Sequence, residues 1–335
     1  MTTRYLCRRG GLGDVIMALA ACRALKARAP ETLVLITEQQ YAPLASACPH
    51  VDEIWPCERL DDAQRGVLRA AERVGLLHDL SAVGFALARE HQTDAYLWSM
   101  GFQAGPEHKQ VDIELDAGID AAVRARMAAL GLAPGFIALH PAVGDANRSW
   151  PEPHWRALAH ALAARGLQVA TIGARGFKGA VELDGTPAVS LIGRLTIVET
   201  LALLRHAGGL VTTDGGPMHL AAAADVPLVA LFSVVGGANR LRFRHGQPGW
   251  NAVALEPDCP HHPCYRTLVR TDVFKPLHAQ IDAGHYTLNE LMANWCLHDE
   301  PFACMRMGHR PEDVLRGLAL LGVPGLQAEP ACATA

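Results

Sequence analysis

Three short segments of this chain set carboxylates, glycines and a guanidinium where phosphate or sugar chemistry could use them. In the first, Arg8-Arg9-Gly10-Gly11-Leu12-Gly13-Asp14, a glycine loop runs into apolar spacing of helical period. Gly11 and Gly13 permit a tight turn, but no third glycine opens the helix, so the loop is not a full dinucleotide fingerprint. Asp14 has two roles open to it. At a helix start the dipole favours its anion, which suits a base facing a cleft, and the same position suits a plain helix cap.

The second segment is Thr212-Thr213-Asp214-Gly215-Gly216-Pro217-Met218-His219. Its glycines let backbone N–H groups approach a diphosphate, and Pro217 marks a helix start whose N-terminus favours that negative charge. The alternative is a tight strand-to-helix turn in which Asp214 caps and His219 packs against the sheet. In the third segment, residues 144–151, Arg148 is the only cation. A guanidinium there can grip two phosphate oxygens or stand as a solvated charge. No Asp-x-Asp triplet occurs in the chain, so a metal clamp for a diphosphate has no obvious source. Leaving-group charge then falls to Arg148, backbone amides and helix dipoles, and no cofactor is required for catalysis.

Of nine cysteines, four gather late in the chain as Cys259-x4-Cys264 and Cys296-x7-Cys304, with His261 and His262 beside the first pair and His278 and His285 between the pairs. Two thiolate pairs suit a tetrahedral structural zinc or iron, although neither has the Cys-x2-Cys spacing of common zinc modules. Ordinary reduced thiols in a surface insertion are the other possibility.

Such residues need strand ends to hold them. Apolar runs at residues 5–7, 33–37 and 51–55 predict strands, with helices over 15–28 and 40–47 between them. A charged helical segment follows at 61–77, then a polar, histidine-bearing stretch at 89–99 and a helix at 120–130. The breaker cluster Gly131-Leu132-Ala133-Pro134-Gly135 precedes a restart of the rhythm: strands at 136–140, 168–172, 189–192, 209–212 and 228–232, helices at 151–165, 197–206 and 217–224. Strand and helix alternate throughout, which predicts parallel α/β units in two doubly wound domains. In such sheets ligands bind beyond the carboxyl ends of strands, where all three segments lie.

Half of the residues are hydrophobic and 19% are charged, enough apolar matter for a large core. Thirty basic and thirty-four acidic side chains give a net charge of −4, which leaves no footprint for nucleic acid. No apolar run approaches the roughly 20 residues that span a bilayer. The chain is expected to be cytoplasmic, with peripheral membrane contact left open.

Gly11-Leu12-Gly13-Asp14-Val15-Ile16, Ala24-Leu25-Lys26 and residues 48–54 (Cys-Pro-His-Val-Asp-Glu-Ile) together resemble the start of glycosyltransferase family 9, the ADP-heptose:lipopolysaccharide heptosyltransferases. His140-Pro141, Arg148-Ser149-Trp150-Pro151 with Trp155, residues 191–196 and the run from Asp214 through Ala223 continue the resemblance in the family's order. It implies a GT-B fold: an acceptor-side domain at residues 1–132, a donor domain at 133–325 with a cysteine-rich insertion at 259–304, and a flexible tail at 326–335. It also implies an inverting transfer with Asp14 as catalytic base and Gly11 and Gly13 in the acceptor-side loop. Donor binding would fall to Arg148, Asp214, Gly215, Gly216, Pro217, Met218 and His219. The implied partners are ADP-heptose and a glycolipid or protein acceptor, without nucleic acid; a non-catalytic nucleotide-sugar-binding protein is the alternative. The cysteine segment resembles that of many members, including those that heptosylate autotransporters. The chain departs from the family at Ala142, where His-Pro-Gly is usual, at Arg148, where lysine is usual, and in residues 173–178, which lack an acidic residue.

Overall fold

The computed structural model describes residues 2–83, 90–141, 146–175, 181–264, 296 and 298–326. The tail from residue 327, most of the cysteine-rich insertion with His278 and His285, Ala142, and the end of the 173–178 loop lie outside the described residues.

The first sheet holds β1 (Thr3–Cys7), β2 (Thr32–Thr37), β3 (Glu53–Pro56) and β4 (Leu77–Asp79) in the order β3-β2-β1-β4, all parallel. The second has six parallel strands: β5 (Ile137–His140), β6 (Val169–Thr171), β7 (Val189–Ser190), β8 (Gly209–Thr213), β9 (Leu228–Leu231) and β12 (Ala252–Leu255). Their order is β12-β9-β8-β5-β6-β7. A small antiparallel ribbon, β10 (Phe243–Arg244) with β11 (Gln247–Pro248), stands apart. Strands β5, β8 and β9 are buried along their whole length, as their unbroken apolar runs require when helices cover both faces of a parallel sheet. The expected α/β architecture of two parallel-sheet halves is therefore present.

Helix α1 (Leu12–Arg28) is apolar on nearly all sides and buried from Val15 through Cys22, because it is wedged between α4 (Gln92–Ser99) of its own half and α8 (Gly216–Ala224) of the other. Helix α5 (Ala117–Ala129) packs on α7 (Ile197–Leu204), so the halves also touch beside the division expected near residue 132. Between them lie the short α2 (Ala42–Ser46), the polar α3 (Asp62–Arg73) and, in the second half, α6 (Glu152–Ala163). The short α9 (Ala303–Arg306) precedes α10 (Pro311–Leu320), which closes the far face of the second sheet with Val314 and Leu318 fully buried.

Two expectations change. The helix expected to run to Leu77 ends at Arg73, since Gly75 adopts φ +71, the left-handed stop common after helices. Leu77 then enters β4, an edge strand too short to show alternation. Residues 252–255 also form a strand that the apolar pattern did not single out. Among the described residues, no helix is long and apolar enough to cross a membrane.

Candidate active site

The loops leaving β1 and β8 enter α1 and α8, and the first turns of these two helices meet. A Cβ built on Gly13 would overlap the His219 ring, and one on Gly216 would lie 3.0 Å from Leu12 Cβ. Both glycines allow close approach, joining the Asp14 segment of one half to the Asp214–His219 segment of the other. A Cβ on Gly11 would lie 3.2 Å from Asp14 Oδ2, so this glycine makes room for the carboxylate.

Neither aspartate caps its helix. The N-cap of α1 is Gly11 and that of α8 is Gly215, and neither is closed by a side-chain hydrogen bond. Asp14 lies in the first turn of α1, where the dipole favours its charge. Its Oδ2 pairs with Arg8 Nη2 at 2.8 Å, and Tyr96 Oη donates toward Oδ1 at 3.5 Å. The side chain stays 35% exposed, held from behind with one flank accessible. Burial pulls the Arg8 guanidinium down, but the Asp14 charge and Tyr96 more than offset it, holding it above its ordinary value. Burial and the Asp14 charge push the Tyr96 phenol up, so it stays protonated and able to donate.

Across the contact, Asp214 is buried and its backbone N–H reaches Leu231 O of β9. Arg148, at the end of a 3-10 turn (Ala146–Arg148), donates from Nη1 to the Asp214 carbonyl at 3.0 Å, with Asp214 Oδ2 at 3.9 Å. Arg148 is thus set against the donor-type turn. Pro217 occupies the first turn of α8, where its missing N–H costs nothing. Met218 is buried in the core. His219 packs against Gly13, and burial pushes its imidazole down to about 4, with the Asp214 and Asp14 charges opposing. Beside this turn, His140 at the end of β5 meets Thr212 Oγ1 at 3.1 Å and is pushed by burial to about 4.

Of the expected residues, Gly11, Gly13, Asp14, Arg148 and the 214–219 turn are therefore brought to one junction. Arg8 and Tyr96 were not anticipated. Arg8 directly follows β1 and opens the glycine loop, a position that could have flagged it; Tyr96, 88 residues away on α4, carries no local signal.

The four late cysteines form a separate neighbourhood. Burial and then the charges of Cys259, Cys296 and Cys264 push the Cys304 thiol up to about 12. Among the described residues, however, no group of three or more His, Cys, Asp or Glu side chains is arranged to hold a metal ion. His262 ties this segment to the second sheet through Ser233 O and Glu256.

A carboxylate and a glycine-proline turn meeting at the strand ends of two parallel sheets define a two-domain α/β protein of the GT-B class. The sequence profile of glycosyltransferase family 9 (heptosyltransferase) matches residues 85–278, and the chain belongs to that family. Lipopolysaccharide heptosyltransferase 1 of Pseudomonas aeruginosa is 32% identical over 148 residues, 43% of this chain and 39% of that protein. The glycosyl transferase family 9 structure from Veillonella parvula superposes with a TM-score of 0.63 at 15% identity, covering 96% of this chain and 97% of that one. The iron-containing dodecameric glycosyltransferase TibC of enterotoxigenic Escherichia coli gives a TM-score of 0.64 at 16% identity, over 96% of this chain and 76% of TibC.

Proposed function

We propose that this chain is an inverting, metal-independent glycosyltransferase that moves heptose from ADP-heptose to a hydroxyl of a lipopolysaccharide core. The observation that carries the proposal is the junction of Asp14 with the 214–219 turn: a partly exposed carboxylate paired with Arg8 in one half lies beside a helix N-terminus in the other. Residues 1–132 would present the acceptor and residues 133–325 the donor.

In this mechanism Asp14 accepts the proton of the acceptor hydroxyl as its oxygen attacks the anomeric carbon. Attack comes from the face opposite the diphosphate, so the configuration inverts. The bond to the diphosphate breaks, and the charge that develops on the leaving ADP is met by Arg148 and the N-terminus of α8. Neutral His219 forms an uncharged wall at the junction. Gly11 shapes the acceptor-side loop, while Asp214 orients Arg148. No step passes through a metal. A structural zinc or iron at Cys259, Cys264, Cys296 and Cys304 is a separate proposal, which rests on their pairing in the sequence.

Under this proposal the protein works in the cytoplasm, and a glycolipid acceptor would bring it to the membrane surface. Purified protein should release ADP from ADP-heptose only when acceptor is added, with deacylated lipopolysaccharide core and an autotransporter protein as separate arms. Turnover with the protein alone would replace the glycolipid acceptor. Donor binding without release in either arm would leave a nucleotide-sugar-binding protein. A charge-assisted contact is worth about 1.5–3 kcal/mol, so Arg148→Ala should weaken donor binding roughly ten- to a hundredfold. Unchanged affinity by calorimetry would put the diphosphate elsewhere.

A further inference from the structure

The Arg8 guanidinium is buried and each of its nitrogens is engaged. Nε donates to Tyr96 Oη at 2.7 Å, Nη1 to the Arg9 carbonyl, and Nη2 pairs with Asp14 Oδ2 at 2.8 Å. The Tyr96 ring, fully buried on α4, lies 5.8 Å from the guanidinium carbon, and its hydroxyl points on to Asp14 Oδ1 at 3.5 Å. The three groups form a closed triangle: Arg8 holds Tyr96, and both address the same carboxylate from different oxygens.

A simple buried ion pair would need only one contact between Arg8 and Asp14. Here a second, neutral donor is positioned by the first, and the target keeps a third of its side-chain surface open. Such a carboxylate has little rotational freedom about its terminal torsion, which is otherwise broad. A base must present its free lone pair to a hydroxyl within hydrogen-bond reach, so fixing that torsion matters directly to proton transfer. A lysine at position 8 would keep the charge but lack the planar fork that bridges Tyr96 and Asp14.

We infer that Arg8 is a positioning residue, which with Tyr96 fixes the Asp14 carboxylate in the orientation that accepts the acceptor proton. The inference rests on Asp14 being the base. With its nitrogens engaged by Tyr96, the Arg9 carbonyl and Asp14, Arg8 acts through Asp14 rather than on the substrates.

The experiment measures kcat and donor KM separately for Arg8→Ala, Arg8→Lys, Tyr96→Phe and Asp14→Asn in the intact protein, with melting temperatures. A displacement of about 1 Å in a reacting group can cost roughly a hundredfold in rate, so kcat of Arg8→Ala should fall by about ten- to a hundredfold. Donor KM should stay within about threefold, because no ground-state contact to donor is lost. Added methylguanidinium should restore part of kcat in Arg8→Ala, Arg8→Lys should fall between alanine and wild type, and Tyr96→Phe should lower kcat by a smaller factor. Should Arg8→Ala fail to fold, the lysine and phenylalanine variants decide by the same split. A loss confined to donor KM, or kcat within about threefold of wild type, would overturn the inference. If Asp14→Asn retains activity, the base assignment itself fails; if Asp14→Asn is inactive while the Arg8 and Tyr96 variants are not, only the positioning role fails.

Discussion

Asp14 and Asp214 share a local setting, a strand end followed by glycine and a helix, yet the chain uses them differently. Asp14 keeps an accessible flank, whereas Asp214 is buried against Arg148. The sequence located both but could not separate base from cap, because that depends on partners such as Tyr96, distant along the chain. The cysteines pose the same difficulty, since spacing alone does not determine whether thiols converge. Burial and their charges push the Cys304 thiol up to about 12, while among the described residues they form no group arranged to hold a metal ion. Thiolate ligation would offset the cost of holding four cysteines close. Elemental analysis of protein purified without chelator should therefore find about one zinc or iron per chain, lost in a Cys259→Ser, Cys264→Ser variant. Metal-free protein with an unchanged melting temperature would contradict this.

At the scale of elements, most of the scaffold was legible because parallel strands buried on both faces read as short apolar runs punctuated by glycine and proline. Strands β4 and β12 were not, being short and at sheet edges, where tertiary pairing rather than pattern makes the strand. The contact between α1 and α8 was invisible too, since a glycine's sequence does not say whether it permits a turn or an approach. Two alanine substitutions distinguish these uses. In a helix interior, Gly→Ala gains about 1 kcal/mol. Gly66→Ala in α3, where a Cβ meets nothing nearer than Arg69 Nη2 at 3.8 Å, should therefore raise the melting temperature. At Gly13 the added methyl meets the His219 ring, and overpacking costs about 1–3 kcal/mol, more than the helix gain. Gly13→Ala should lower both the melting temperature and turnover. If both variants are stabilised, α1 and α8 do not meet as described.

The whole molecule carries a pH signature. Burial pushes His91 down to about 3 and His140 and His219 to about 4. In the unfolded chain these imidazoles take up protons near pH 6.5, while in the folded one they stay neutral to much lower pH. Their contribution to stability is thus fully present above about pH 6.5 and is lost as pH falls toward 4, at up to about 1.4 kcal/mol per unit for each. Glu31, Asp52, Asp112 and Asp225, held below the usual carboxylate range, add their loss only below about pH 4. The melting temperature should consequently decline already between pH 6.5 and 5, and a flat profile there would mean that the buried histidines are solvated.

All of these scales converge on the carboxylate at the junction of the two halves. Asp14→Asn keeps the size of the side chain and removes its ability to accept a proton. Because Gly11 rather than Asp14 occupies the cap position, no cap is lost, but buried Arg8 loses its counter-charge, so the melting temperature should fall while the protein still folds. General-base catalysis contributes about a hundred- to ten-thousandfold, so turnover of ADP-heptose with acceptor should fall by that factor while donor affinity is kept. Turnover and melting temperature measured on one Asp14→Asn preparation give the most direct test: a folded, donor-binding, inactive protein is the predicted result. A variant that retains more than about a third of wild-type turnover would contradict the account, given the size of the general-base effect.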